Sequence, residues 1–352
     1  MDYFLVFGVG ILIVLMASHV FVPIAKQIGL LDYAGGRKRH TGSVPLVGGV
    51  VFFLVLGLSL VFVRVPAQLE LISVFLAAIF VLGLIDDRIG LPVLFRLLMQ
   101  VAFTAGAFVY AGIELDKLGP LWESSFSTGY FALPLAVIFV VGFVNAYNMI
   151  DGVDGLAIGQ AMISIISLMM AQGLTRSVPF LDWYVLVLGA LVSLLLINTS
   201  MIHVKKIFLG DSGSTVIGFL LGWLIIDLSY SPGRVIHPVS ALCSVAFPLF
   251  DFFTTVMRRI RKNQSIFSGD RNHLHHLLID SGNSPGWVVV GILIFSGSLS
   301  FAGVLLARFA GPEYAVIYSI LAFGLYCWVT IHPRRLDTFQ RLILGKSRGS
   351  EA

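Results

Sequence analysis

Charge is what this chain has least of. Asp, Glu, Lys and Arg make up 12% of its 352 residues, about half the ~25% carried by soluble globular domains. So little charge cannot clothe a water-facing surface, which excludes an ordinary soluble enzyme and a disordered tail. Cysteine is nearly absent too. Cys243 and Cys327 both lie in apolar runs, which leaves no disulfide scaffold and no thiolate metal framework. Also missing are low-complexity tracts, clean internal repeats and a separate soluble domain. The alternating ~10-residue segments of a transmembrane β-barrel are absent as well. What remains is apolar: 57% of residues are hydrophobic and mean hydropathy is +0.94. The expected fold class is an all-α polytopic membrane protein.

A helix crossing the hydrocarbon needs about 20 mostly apolar residues. Eleven stretches qualify: 3–25, 46–63, 69–85, 92–112, 131–149, 156–173, 183–201, 214–228, 239–257, 287–307 and 314–331. The first lacks a basic start and a small-residue cleavage site, so it reads as a retained span rather than a signal peptide. With the N-terminus outside and the C-terminus cytoplasmic, 18 Lys and Arg fall on the inner side and 5 on the outer. That asymmetry is expected of cytoplasmic loops. It accounts for the net charge of +4 without invoking nucleic acid. Residues 1–331 then form an integral membrane catalytic domain with a cytoplasmic loop at 258–285. The basic tail 332–352 reads either as a short interfacial helix or as a frayed end.

The carboxylates choose one side. Asp86 and Asp87 close the third span, Asp151 and Asp154 follow the fifth, and Asp211 precedes the eighth. All five fall on the expected inner face. Acidic residues contribute little to orientation, and carboxylates at the hydrocarbon boundary are costly, which marks them as functional candidates. Taken alone, Asp86-Asp87-Arg88 reads equally as a helix end closing on its own arginine. The run Asn145-Ala-Tyr-Asn148-Met-Ile-Asp151-Gly-Val-Asp154-Gly155 is more specific. Its amides and its carboxylates are each spaced three apart, so each pair shares a helix face. A calcium loop would need a longer ligand ladder ending in Glu, which is absent.

Phe208-Leu-Gly210-Asp211-Ser212-Gly213 precedes a span, with Lys205 and Lys206 beside it. Glycine and serine at a helix start suit an anion, although an ordinary N-cap is the other reading. In the longest inner loop stands Asp270-Arg271-Asn-His273-Leu-His275-His276. Its histidines are read as hydrogen-bond donors to phosphate or sugar rather than as a metal site. Asp251 either joins the site or orients that loop.

Inward carboxylates, carboxamides, a Gly/Ser anion seat and many cations suit Mg²⁺-dependent phosphate chemistry, with Mn²⁺ a fitting substitute. A boundary location suits one soluble substrate and one lipid. An ion-coupled transporter is the rival reading, but transporters place such groups near mid-membrane, commonly with inverted repeats.

Four ordered segments, from Arg37-Lys-Arg39-His40…Pro45-Leu-Val-Gly-Gly49 to the histidine loop, resemble the polyprenyl-phosphate N-acetylhexosamine-1-phosphate transferase family over nearly the whole chain. Gly90, where the peptidoglycan-precursor branch has Lys, and Leu274, which interrupts the histidines, point to the branch that transfers simple sugars. The resemblance implies transfer of N-acetylglucosamine 1-phosphate from UDP-N-acetylglucosamine to undecaprenyl phosphate, giving the lipid diphosphate sugar and UMP. That would be the first membrane step of a surface glycan such as O-antigen, in the bacterial inner membrane. Another UDP-N-acetyl sugar would use the same machinery, and a homodimer is one assembly left open.

The implied roles follow. Asp211, Asn148 and Asp87 would hold the metal, and Asp86 would act on the lipid phosphate. Asp151 and Asp154 would organise the nucleotide pocket, and Phe208 would stack on uracil. Asn145, Gly210, Ser212, Arg96, Arg37, Arg39, His40, Lys206, Arg271, His273, His275 and His276 would contact substrate.

Overall fold

The computed structural model of the chain describes residues 2–33, 42–112, 117–121, 124–127, 129–173, 178, 180–230, 235–265 and 273–331. Arg37, Arg39, His40, Arg271 and the tail 332–352 lie outside them. Among the described residues nine helices are long and apolar enough to cross a membrane. Eight are α1 (Tyr3–Ile28), α3 (Ala67–Ile89), α4 (Val93–Ala111), α6 (Leu156–Gly173), α7 (Leu181–Asn198), α8 (Gly210–Tyr230), α12 (Pro285–Phe309) and α13 (Pro312–Ile331). The ninth, α5 (Ala132–Ile150), is preceded by a short 3₁₀ turn. The chain is an all-α polytopic membrane protein.

Two of the eleven apolar stretches take a different form. Stretch 46–63 becomes α2 (Gly48–Phe62), only 15 residues long. Stretch 239–257 divides into α9 (Pro238–Cys243) and α10 (Ala246–Arg261). Pro248 explains that break: its ring clashes with the carbonyl four residues back, at Ser244, and tolerates only the first turn of a new helix. The polar end of α10, with Asp251, Arg258, Arg259 and Arg261, also holds it below the hydropathy of a simple span.

Helix α8 is the centre of the bundle. Of its most apolar 18-residue window 94% is buried, against 22% for α4 and α13 at the periphery. A helix apolar on every side belongs inside. Ser214, Gly218 and Gly222 give it a stripe of small residues at four-residue spacing. A Cβ added at Gly218 would come 2.7 Å from the Cα of Val144, so α8 and α5 pack backbone against backbone, as small residues allow between membrane helices. Helices α1 and α7 use the same device, Gly10 meeting Leu186 and Gly189 meeting Phe7.

The start of α8 is tied to the segment before α2. Phe208 N–H donates to the Pro45 carbonyl, and Gly48 and Gly49 N–H donate to the Phe208 and Leu209 carbonyls, each at 2.9 Å. Pro45 also pairs with Leu31 in a two-stranded ribbon of β1 (Leu31–Tyr33) and β2 (Ser43–Pro45). These links gather the end of α1 and the starts of α2 and α8 at one end of the bundle.

Candidate active site

The local backbone at Gly210 sets the site. Its φ is +75°, and a Cβ there would come 2.7 Å from Asp87 Oδ2, so conformation and space both call for glycine. The first N–H groups of a helix have no partner within the helix. In α8 those of Asp211 and Ser212 donate to Asp87 Oδ1 and Oδ2 at 2.7 and 3.0 Å. Asp87, at the end of α3, therefore caps a helix 124 residues further along the chain. The anion seated at this N-terminus is the protein's own carboxylate.

That cap aims Asp211. Asn148, in the last turn of α5, donates from Nδ2 to Asp211 Oδ1 at 2.5 Å and to Ser214 Oγ at 3.1 Å. The Arg96 guanidinium lies 3.6 Å from Asp211 Oδ2. Its other partner is Asp86, which it binds through the same nitrogen. Asp86 also accepts the Leu91 N–H at 2.7 Å. The exposures separate the two carboxylates: 3% of the Asp86 side chain is accessible and 37% of that of Asp211. Asp211 is the one a ligand reaches.

A second wall is the turn between α5 and α6. Asn198, at the end of α7, accepts the Gly155 N–H at 2.6 Å and donates to the Ile207 carbonyl at 3.0 Å. One buried amide thus fixes the 151–155 turn against the 205–209 segment. Lys206 pairs with Asp154 at 2.5 Å and stands 5.0 Å from the centre of the Phe208 ring. Asp151 is half-buried within reach of Asp211, Asp87 and Asp154. Desolvation first, and then those three charges, push its carboxyl well above the usual range.

The histidines close over this turn. A Cβ at Gly152 would lie 2.6 Å from His275 Nε2 and 3.4 Å from His276 Nε2. His273 turns the other way and donates from Nδ1 to Asp251 Oδ2 at 2.7 Å. The three rings still follow one another, with centroids 5.7 Å apart from His273 to His275 and 4.2 Å from His275 to His276. Asn145 also faces away from Asp211, donating to Gln100 Oε1 and the Val141 carbonyl at 2.8 Å each. Ser212 is fully buried, with its hydroxyl packed near Gly49 of α2.

Asp86, Asp87, Asn148, Asp151, Asp154, Lys206, Phe208, Asp211, His275 and His276 thus come together from six parts of the chain. Sequence reasoning missed Asn198, Ser214 and the partners of Asp251. A lone Asn at the end of an apolar run was the signal for the first, and a hydroxyl three residues after Asp211 for the second.

The donor set fits Mg²⁺. It consists of hard oxygens, and the mutual repulsion at Asp151 is what a divalent cation relieves. Among the described residues no three Asp, Glu, His or Cys side chains already enclose a metal position. Mg²⁺ needs no such cage, because it keeps water and shares its shell with substrate phosphates.

A family profile described as glycosyl transferase family 4 matches residues 69–229, which span Asp86 through Asp211. The chain is 33% identical over 336 residues to the undecaprenyl-phosphate alpha-N-acetylglucosaminyl 1-phosphate transferase of Escherichia coli (strain K12), covering 93% of this chain and 91% of that protein. The Yersinia pestis protein of the same name is 32% identical, covering 90% and 88%. A Bacillus subtilis protein, named a probable undecaprenyl-phosphate N-acetylglucosaminyl 1-phosphate transferase, is 31% identical, covering 85% and 84%. With that similarity running almost end to end, the chain belongs to glycosyl transferase family 4.

Proposed function

We propose that this protein transfers N-acetylglucosamine 1-phosphate from UDP-N-acetylglucosamine to undecaprenyl phosphate at the cytoplasmic face of a bacterial inner membrane. The observation that carries the reading is the meeting of Asp86, Asp87, Asn148, Arg96 and Asp211 at one end of the bundle, beside an Asp151–Asp154 turn overlaid by histidines. The names of the relatives supply the substrates. In the proposed topology α9 and α10 together make one crossing and α2 another. The eleven crossings then leave the N-terminus outside, and the Lys and Arg distribution supports that sidedness.

In the reaction, an oxygen of the lipid phosphate attacks the β-phosphorus of the sugar nucleotide. A new phosphoanhydride forms as the old one breaks, and UMP leaves. The protein's task is positioning and charge stabilisation. Asp211 and Asn148 would hold Mg²⁺, which when bound neutralises diphosphate charge. Asp87 fixes Asp211 through the start of α8. Asp86 holds Arg96, whose guanidinium lies 3.6 Å from Asp211, for the acceptor phosphate. Phe208 offers a flat face to the uracil, with Lys206 beside it for the nucleotide phosphate. His275 and His276 contact the diphosphate or the N-acetyl sugar from above the Asp151–Asp154 turn.

The test is UMP release by the purified protein from a panel of UDP-sugars, with and without undecaprenyl phosphate and EDTA. The expected result is release from UDP-N-acetylglucosamine that needs the lipid and stops with EDTA. Release from a different UDP-N-acetyl sugar alone would move the assignment within the family. No lipid-dependent release from any of them would refute it.

A further inference from the structure

We propose that Asp251, held by Tyr326, is a positioning residue that anchors the histidine loop over the catalytic turn through His273; the inference rests on the transferase reading above. Asp251 lies in α10 and is 1% exposed, and nothing in the reaction as drawn uses it. A buried carboxylate without partners is costly, yet this one accepts three hydrogen bonds. His273 Nδ1 donates to Oδ2 at 2.7 Å, Leu274 N–H to Oδ1 at 3.1 Å and Tyr326 O–H to Oδ1 at 2.8 Å. The donors come from the entry to α11 (Leu274–Asp280) and from α13, so one side chain joins three elements.

The geometry explains what is being held. Leu274 N–H is the first unpaired donor of the short helix α11, and His273 is the residue before it. Capturing both fixes the start and the direction of that helix. The His273 and His275 rings lie nearly parallel with centroids 5.7 Å apart, and His275 meets His276 at 4.2 Å. Orientation set at His273 thus passes to the two rings above Gly152. Thr255 lies one turn along α10 from Asp251, with its hydroxyl 3.4 Å from His273 Nδ1, and accepts from the Arg258 guanidinium at 2.9 Å. It gives the imidazole a second fixed neighbour. Satisfied buried networks of this kind make one arrangement rigid.

The test uses the purified full-length protein in two measurements. The first is hydrogen exchange of the 274–280 amides without substrate. Asp251→Asn, whose amide opposes His273 with a donor, is expected to speed exchange roughly tenfold or more, and Tyr326→Phe, which keeps the ring and the packing, by a smaller factor. The second is a kinetic cycle with His275→Ala. Asp251→Asn should lower kcat/KM for UDP-N-acetylglucosamine by about tenfold or more while leaving KM for undecaprenyl phosphate unchanged. In the His275→Ala background it should cost far less, because residues acting as a unit are not additive. Unchanged exchange in both variants, or full additivity in the cycle, would overturn the proposal. If wild type releases no UMP, the transferase reading fails, while the exchange result still judges the anchor.

Discussion

Replacing Asp87 by Asn separates two roles that a carboxylate in such a cluster can have. Its two oxygens accept the Asp211 and Ser212 N–H groups at 2.7 and 3.0 Å. Hydrogen bonds to a charged partner contribute about 1.5–3 kcal/mol each, and neutral ones about 1 kcal/mol. Asn keeps one acceptor, now neutral, and turns an NH₂ group toward the other N–H. The expected loss of stability is therefore about 2–5 kcal/mol. Activity should fall further than stability alone requires, because α8 carries Asp211 and misplacing a reacting group by 1 Å costs roughly 10²-fold. The assays are thermal unfolding of the purified protein, followed by lipid-dependent UMP release at a temperature where the variant is folded. Loss of activity with an unchanged unfolding temperature would refute the reasoning. Asp87 would then act on the reactants directly, and its hold on α8 would be incidental.

Other outcomes follow from the same geometry. Gly210→Ala places a side chain at φ +75° against Asp87; strain of about 1–2 kcal/mol from the left-handed backbone plus displacement of the cap should lower unfolding temperature and activity together. Asp151→Asn should separate them. Burial and like charges raise the Asp151 carboxyl, so in the wild type stability is full below the ordinary carboxylate range and falls as pH rises through the raised value. The variant should unfold at a higher temperature than wild type at neutral pH in EDTA, with less activity, and Mg²⁺ should narrow the gap. Lys206→Met removes a cation from beside Phe208 and Asp154 while keeping the apolar stem. It should raise KM for the sugar nucleotide several-fold and leave unfolding nearly unchanged, since an exposed pair contributes about 0.2–1 kcal/mol.

The membrane architecture was legible because apolar runs of the required length have few alternatives, and nine of the eleven became helices long and apolar enough to cross a membrane. In stretch 239–257 Pro248 and the polar end of α10 were the cause of the break, and both were visible in the sequence without fixing where the chain would break. The carboxylate motifs were legible as a group because acidic residues at apolar boundaries demand a reason. Their division of labour was not legible. Asp87 capping α8, Arg96 bridging Asp86 and Asp211, and Asn198 holding the Gly155 turn are contacts between residues from ten to more than a hundred positions apart, and no local spacing encodes them. The histidine run was legible as one cluster, and its three rings do follow one another at 5.7 and 4.2 Å; what no spacing encodes is that the chain enters α11 between His273 and His275. The first ring turns back to Asp251 and the other two lie over Gly152.

The central claim is that side chains from separate helices form one reaction centre in which Asp211 is the group open to ligand. It is tested most directly by measuring UMP release from UDP-N-acetylglucosamine with purified wild type and Asp211→Asn, each with and without undecaprenyl phosphate. The expected result is release by the wild type only when the lipid is present, and none by Asp211→Asn even at raised Mg²⁺. Release at the wild-type rate by a folded Asp211→Asn protein would contradict it.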